Sequence, residues 1–141
     1  AIAKIESVNS VSLHIRRGDY INNPLHNTSK EEYYNKALEI VENKINNPVY
    51  FVFSDDMDWV KANFSTKHET VFIDFNDALT NFEDLKLMAS CKHNIIANSS
   101  FSWWGAWLNK NPDKIVIAPK RWFNDDSINT NDIIPTNWVK I

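Results

Sequence analysis

Short apolar runs rich in β-branched and aromatic residues alternate with longer segments of helical period along this chain, and this alternation constrains the fold most. The runs are SVSLHI, VYFVFS, TVFIDF, NIIANS and KIVIAP. Their largely apolar composition is typical of strands that are buried on both faces of a sheet. Strands of this kind, separated by helices, favour a parallel sheet.

Four helices are predicted between these strands. In SKEEYYNKALEIVENKI, apolar residues recur at helical spacing, and Ser29 and Glu32 form a capping box at its start. A short helix follows over Asp56 to Phe64, a third over about Phe82 to Lys92, and a fourth begins near Phe101. The sequence therefore predicts an α/β fold with a Rossmann-like parallel sheet and helices on both faces.

The length and the charge limit the classes of function. With 141 residues and 43% hydrophobic residues, the chain is long enough for one domain, residues 1–141, with its own core. Its formal net charge of -3 argues against nucleic acid as a partner, because such binding usually needs a basic surface.

The single cysteine, Cys91, cannot form an internal disulfide, and the chain shows neither a signal segment nor an apolar run that could span a bilayer. We therefore expect a cytoplasmic protein, with a peripheral position at the inner face of a bacterial membrane as a further option.

Polar clusters follow the predicted strands, at the sheet edge where open parallel sheets bind ligands. They are HIRRGD, SDD, DFND and NSSFSWW. The chain has only 2 glycines, so a glycine-rich phosphate loop is absent. Any bound phosphate would have to be held by arginine and by the start of a helix.

The first cluster places two arginines at a strand end. Guanidinium groups can hold two phosphate oxygens at once, and adjacent strand residues point to opposite faces. We predict that Arg16 contacts a ligand and that Arg17 pairs with a carboxylate such as Asp19. The alternative is that both arginines form ordinary surface ion pairs.

In the second cluster, Ser99 and Ser100 end a strand and open a helix, an arrangement that suits either N-capping or anion binding. For the neighbouring aromatic residues the favoured interpretation is a packed core, formed by Phe101, Trp103, Trp104 and Trp107. Gly105 lies inside the same helix, where glycine is unfavourable, and it indicates close helix packing.

Together, HIRRGDY and NSSFSWWGAWL resemble the α-1,2-fucosyltransferases, glycosyltransferase family eleven, whose members share an H-x-R-R-x-D motif. The resemblance extends over nearly the whole chain. It implies a GT-B-type enzyme of two Rossmann-type domains, of which this chain is similar to the C-terminal, donor-binding half. The N-terminal acceptor domain would then be absent from this chain, and the tail from Trp122 would be free to cross back to it.

The resemblance also implies roles for individual residues. Arg16 would contact the donor diphosphate and act as the catalytic residue, and Asp84 would read the guanine base. The full set of substrate-binding residues is His14, Arg16, Arg17, Asp19, Asp84, Asn98, Ser99, Ser100 and Phe101. His14 and Asp84 also have structural alternatives, since His14 suits a strand core and Asp84 stabilises a helix start.

The implied reaction is inverting transfer of L-fucose from GDP-β-L-fucose to a galactoside hydroxyl of an oligosaccharide acceptor. No cofactor and no metal are expected, because the acidic pairs in SDD and NDD are better explained as a helix cap and a solvated loop. Two other functions stay open. One is a nucleotide-sugar binding module without turnover, and the other is an interaction domain that uses its tryptophans or its RGD tripeptide.

Overall fold

The structure is a computed structural model that describes residues 2–15, 31–54, 56–73, 81–97, 100–119, 135 and 137–141. Within these ranges the side chains of Glu31, Asn81, Phe82 and Ser100 are left undescribed. The strands are β1 Asn9–Ile15, β2 Pro48–Ser54, β3 Thr70–Phe72, β4 His93–Ile95, β5 Val116–Ala118 and β6 Val139–Lys140. The helices are α1 Ile2–Ser7, α2 Glu31–Lys44, α3 Met57–Asn63, α4 Asn81–Ser90 and α5 Ser100–Leu108.

The strands form one sheet in the order β3-β2-β1-β4-β5-β6, and every neighbouring pair is parallel. The strand order reverses beside β1, which has β2 on one side and β4 on the other. The predicted Rossmann-like α/β fold is confirmed. The carboxyl ends of β1 and β4 therefore mark the topological switch point, where open sheets of this type hold their ligands.

Alternate residues of the strands face two separate cores. Val11 and Leu13 of β1 pack with Tyr50 and Val52 of β2 under α2 and α3. On the opposite face, which we call the His14 face, Phe51 and other alternate β2 residues pack against α1 and α4. Helices therefore cover both faces of the sheet, as parallel strands require.

The helical period of α2 is confirmed by its buried stripe. The stripe contains Tyr33, Tyr34, Ala37, Leu38 and Val41, and Ile45 continues it just beyond the helix. Helix α3 also matches its predicted range, and the N–H of Asp56 at its start donates to the Ser54 hydroxyl at 3.0 Å. These segments fold as their local sequence dictates.

Two elements were missed from the sequence, α1 and β6. Strand β6 pairs with β5, and the buried Trp138 just before it packs against Trp103 with ring centroids 5.9 Å apart. The idea that the tail crosses to another domain is therefore wrong for residues 138–141. A two-residue strand carries too little periodicity to be read from sequence.

Gly105 lies where α4 and α5 meet, as its helical position suggested. A Cβ atom at Gly105 would come 2.9 Å from Met88 Cβ and 3.1 Å from Met88 Sδ. The nearer atom belongs to the rigid base of the Met88 side chain, so it cannot rotate away. The close contact between α4 and α5 thus depends on the absence of a side chain at Gly105.

Gly105→Ala is expected to destabilise the domain. Alanine gains about 1 kcal/mol in helix propensity, but overpacking of a filled contact costs about 1–3 kcal/mol. We expect a net loss in the free energy of unfolding measured by urea titration. Asn35→Ala, at an exposed site of α2, serves as the control and should change little. A more stable Gly105→Ala protein would show that α4 and α5 are not in close contact.

His93 at the start of β4 is held in its neutral form. Its Nδ1 accepts the N–H of Ile115 at 3.0 Å, and burial, followed by the nearby charge of Lys92, lowers its pKa. The unfolded chain therefore binds a proton at higher pH than the native chain does. Above the ordinary histidine pKa of 6.5, His93 is neutral in both states and does not change the free energy of unfolding. As the pH falls below 6.5, the unfolded chain binds the proton first, so the free energy of unfolding decreases.

His93→Asn should remove this acid sensitivity, because an amide oxygen can accept the same N–H without titrating. Urea titrations between about pH 5 and pH 8 should show a smaller loss of stability toward acid in the variant than in the unsubstituted chain. Identical pH profiles would contradict the assignment.

Candidate functional site

The carboxyl ends of β1 and β4 separate at the switch point. The β1–β4 ladder ends at the pair Leu13 and Ile95, whereas the β1–β2 ladder continues to Ile15 and Ser54. The last two residues of β1 therefore extend past their β4 neighbour. We call the position between these two strand ends, next to the first turn of α5, the switch-point crevice.

The two motifs singled out from the sequence meet in this crevice. His14 is 5% exposed, and its ring lies edge-on to Phe101 with centroids 6.0 Å apart at an interplanar angle of 64°. Phe101 is in the first turn of α5, directly after the β4–α5 connection. The first residue of HIRRGDY and a residue near the start of NSSFSWWGAWL are thus in direct contact.

Several predicted site residues lie outside the described part of the chain. They are Arg16, Arg17, Asp19, Asn98 and Ser99, and for Ser100 only its place at the first position of α5 is described. Asp84 is partly exposed in the first turn of α4, on the same face of the sheet as His14. That position fits both interpretations of Asp84, because the first helical turn also favours an acid.

Ser102 fixes the turn that leads into α5. Its buried hydroxyl accepts the N–H of Ala97 at 3.2 Å and lies 3.4 Å from the Ala97 carbonyl. The first turn of α5 is therefore tied back to the end of the β4 segment. Ser102 was not among the residues predicted from the sequence, although a hydroxyl in a helix's first turn is a common capping signal.

The far end of α5 is fixed by a buried amide network. Asn94 Nδ2 donates to the Ser12 hydroxyl at 2.6 Å, and Asn109 Nδ2 donates to Asn94 Oδ1 at 2.8 Å. Lys114 Nζ donates to the carbonyls of Ala106 and Asn109, each at 2.9 Å. Because both ends are fixed, the axis of α5 is set relative to β1 and β4.

The prediction that the α5 tryptophans form a buried core is wrong for two of them. Trp104 is 49% and Trp107 is 51% exposed, whereas Trp103 packs against the buried Trp138. The helix buries a narrow face of small residues, Ser102, Gly105 and Ala106. Its larger residues remain outside, and Trp107 stacks on Trp103 with centroids 5.2 Å apart.

A groove of about 350 Å³ lies between α4 and α5 at the opposite edge of the sheet. It is lined by the ends of the two helices, where Ser90 and Leu108 lie. This edge carries the amino ends of the strands, so the groove is separate from the switch-point crevice.

The described part of the chain contains no group of three His, Cys, Asp or Glu side chains that could hold a metal ion. No helix in the described ranges is both long enough and apolar enough to cross a membrane.

The profile of Glycosyl transferase family 11 matches residues 2–141 of this chain. The chain belongs to glycosyltransferase family 11. It is 44% identical to an alpha-1,2-colitosyltransferase of Escherichia coli, over 97% of this chain and 49% of that protein. It is 40% identical to the O-antigen biosynthesis glycosyltransferase WbnK of Escherichia coli, over 96% of this chain and 46% of that protein.

A more distant relative is the galactoside alpha-(1,2)-fucosyltransferase 1 of Rattus norvegicus, 30% identical over 70% of this chain and 27% of that protein. The chain spans about half the length of the two bacterial relatives. No solved structure matches the chain. The predicted resemblance to the family is confirmed.

Ser102→Ala is expected to destabilise the domain by about 1–3 kcal/mol, because it leaves a buried backbone N–H without its acceptor. Ala97, which provides that N–H, is 0% exposed. The matched control is Ser7→Ala, where an exposed hydroxyl donates to the Lys4 carbonyl at 2.9 Å. Urea titration should show a large loss only for Ser102→Ala, and equal small losses would exclude a fixing role for Ser102.

Proposed function

We propose that this chain is the donor-binding, C-terminal half of a GT-B-type glycosyltransferase that uses GDP-β-L-fucose. The contact between His14 and Phe101 carries the proposal, because it joins the two family motifs at the switch point. The remaining half of the enzyme would bind the oligosaccharide acceptor. The bacterial relatives, which are about twice as long as this chain, support that division.

The proposed reaction is an inverting displacement at C1 of fucose. The hydroxyl oxygen of a galactoside forms the new bond as the bond between C1 and the β-phosphate oxygen breaks, and the hydroxyl loses its proton. Negative charge grows on the leaving GDP. Stabilising that charge more in the transition state than in the ground state accelerates the step.

The positive groups for this task would be Arg16 and the start of α5. Arg16 directly follows the end of β1, and α5 begins at Ser100 on the other side of the crevice. A helix start carries free N–H groups and a partial positive charge, which favour a phosphate. The net charge of -3 requires such a site to be local.

The other predicted residues complete the proposed site. His14 would lie beside the nucleotide, Asp84 would accept from the guanine N–H groups, and Arg17 with Asp19 would support Arg16. The reaction would need no metal. We place the enzyme in the cytoplasm of a bacterium, or at the inner face of its membrane.

The similarity to one relative also supports GDP-colitose as the donor. The alpha-1,2-colitosyltransferase is more similar to this chain, at 44% identity, than the rat alpha-(1,2)-fucosyltransferase, at 30%. Colitose is fucose without its 3-hydroxyl, so one hydrogen-bonding group would separate the two donors. Sites built to bind a sugar hydroxyl strongly reject an analogue that lacks it.

Calorimetric titration of GDP, GDP-fucose and GDP-colitose into the domain tests the proposal. We expect GDP to bind and neither ADP nor UDP to compete. Arg16→Ala should weaken GDP binding by about 10- to 100-fold, the effect of a lost charge-assisted hydrogen bond. Lys110→Ala removes one exposed charge near the opposite end of α5 and should leave the affinity nearly unchanged.

A folded domain that binds no GDP would contradict a complete donor site in this chain. Equal losses for Arg16→Ala and Lys110→Ala would contradict the role of Arg16. GDP binding together with no transfer by a longer protein that includes the acceptor half would instead support a binding module. In an active full-length protein, Arg16→Ala should reduce kcat more than it raises KM, because its charge acts mainly in the transition state.

A further inference from the structure

Two adjacent tyrosines at the start of α2 reach the carboxyl edge of the sheet. The Tyr33 hydroxyl lies 2.6 Å from the Ile96 carbonyl oxygen and 3.0 Å from that of Ile117, and it shares its proton between them. The Tyr34 hydroxyl donates to the His14 carbonyl at 2.9 Å. One helical turn therefore contacts β1, β5 and the residue that follows β4.

Two of these carbonyls, those of Ile96 and His14, lie beyond the β1–β4 ladder, whereas the Ile117 carbonyl also accepts the N–H of Ile96 at 2.9 Å. Ile96 is the first residue after β4, and His14 is one residue beyond the last β1–β4 pair. Ile96 is 1% and His14 is 5% exposed, so water is largely excluded from both. A buried carbonyl without a donor is costly, and the tyrosines supply the donors at these positions.

The two tyrosine rings pack tightly against each other, and Tyr33 stays protonated. The two rings meet edge to face, with centroids 5.0 Å apart at 71°. Burial, and then the proximity of Tyr34, raises the pKa of Tyr33. Both side chains are less than a tenth exposed, so rotation of either ring away from its carbonyl would open the core under α2.

We propose that Tyr33 and Tyr34 are positioning residues that set the width of the switch-point crevice. Tyr34 holds the end of β1 that carries His14 and leads into Arg16, while Tyr33 holds the end of β4 that leads into α5. The α2 turn thus fixes the spacing between the two strand ends that lead into the groups proposed to bind the donor diphosphate. The nucleotide part of this inference rests on the proposed function.

Three single-oxygen deletions test the proposal: Tyr33→Phe, Tyr34→Phe and the control Tyr50→Phe. Tyr50 is 0% exposed, and its hydroxyl has no hydrogen-bond partner among the described residues. It lies in the first half of β2, away from the carboxyl edge. The control therefore removes the same atom from the same residue type in the same sheet.

Amide hydrogen exchange, measured by mass spectrometry, reports how often the backbone beside the switch-point crevice opens to solvent, and it needs no ligand. Tyr33→Phe should speed exchange in peptides covering 94–104, and Tyr34→Phe in peptides covering 11–15, each by about fivefold to tenfold, as for one hydrogen bond. Tyr50→Phe should change neither region. Unchanged exchange in both variants, or the same increase in Tyr50→Phe, would overturn the inference.

Calorimetry with GDP, well below the melting temperature of each variant, separates positioning from stability. Tyr33→Phe and Tyr34→Phe should raise the Kd for GDP by about fivefold, and Tyr50→Phe should leave it unchanged. Faster local exchange with an unchanged Kd would show that the tyrosines only stabilise the fold. If the unsubstituted domain binds no GDP, the proposed function fails, and hydrogen exchange alone still decides whether the tyrosines fix the crevice.

Discussion

The separation of β1 from β4 after Leu13 is the constraint on which the rest of this structure depends. The connections that follow β1 and β4 lead to helices on opposite faces of the sheet, so the two strand ends diverge at this point. Opening the sheet exposes backbone carbonyls that the ladder would otherwise pair. The chain satisfies two of them with side chains, since Tyr33 donates to the Ile96 carbonyl and Tyr34 to the His14 carbonyl.

Helix α5 is fixed at its start by the Ser102 hydroxyl and at its end by the amides of Asn94 and Asn109. The polar groups that do this are buried, where each hydrogen bond is strong and each broken one is costly. Fixing both ends matters for an anion site, since backbone N–H groups bind a phosphate only from the correct distance and direction. The proposed donor site thus depends on polar contacts that lie outside it.

Close packing explains why α5 exposes its tryptophans. Gly105 allows α4 to approach within contact distance at Met88, so the buried face of α5 has room only for small side chains. Trp104 and Trp107 lie on the remaining surface, where Trp107 stacks on Trp103 and Trp104 meets the Trp103 ring edge to face. A high content of aromatic residues therefore does not identify the buried face of this helix.

The sequence by itself determined the local elements and the edge that carries the site. Apolar runs and the helical period of residues 29–45 dictated the alternation of strands and helices, since each pattern buries a face only in one conformation. The short β6 and the first helix could not be predicted, because they are held by neighbours rather than by their own periodicity. His14 and Phe101 are 87 positions apart in the chain but in contact in the fold. The sequence predicted only that both motifs follow strands of one sheet, and not that these two side chains meet.

The tertiary structure alone decided which side chains fix that edge. The roles of Tyr33 and Ser102 depend on carbonyls and N–H groups contributed by distant strands, and a sequence does not show which backbone groups remain unpaired. The same holds for the exposed tryptophans, whose burial depended on how closely α4 approaches α5. Hydrophobic patterning determines the elements, whereas long-range hydrogen bonds and contact distances determine their exact spacing.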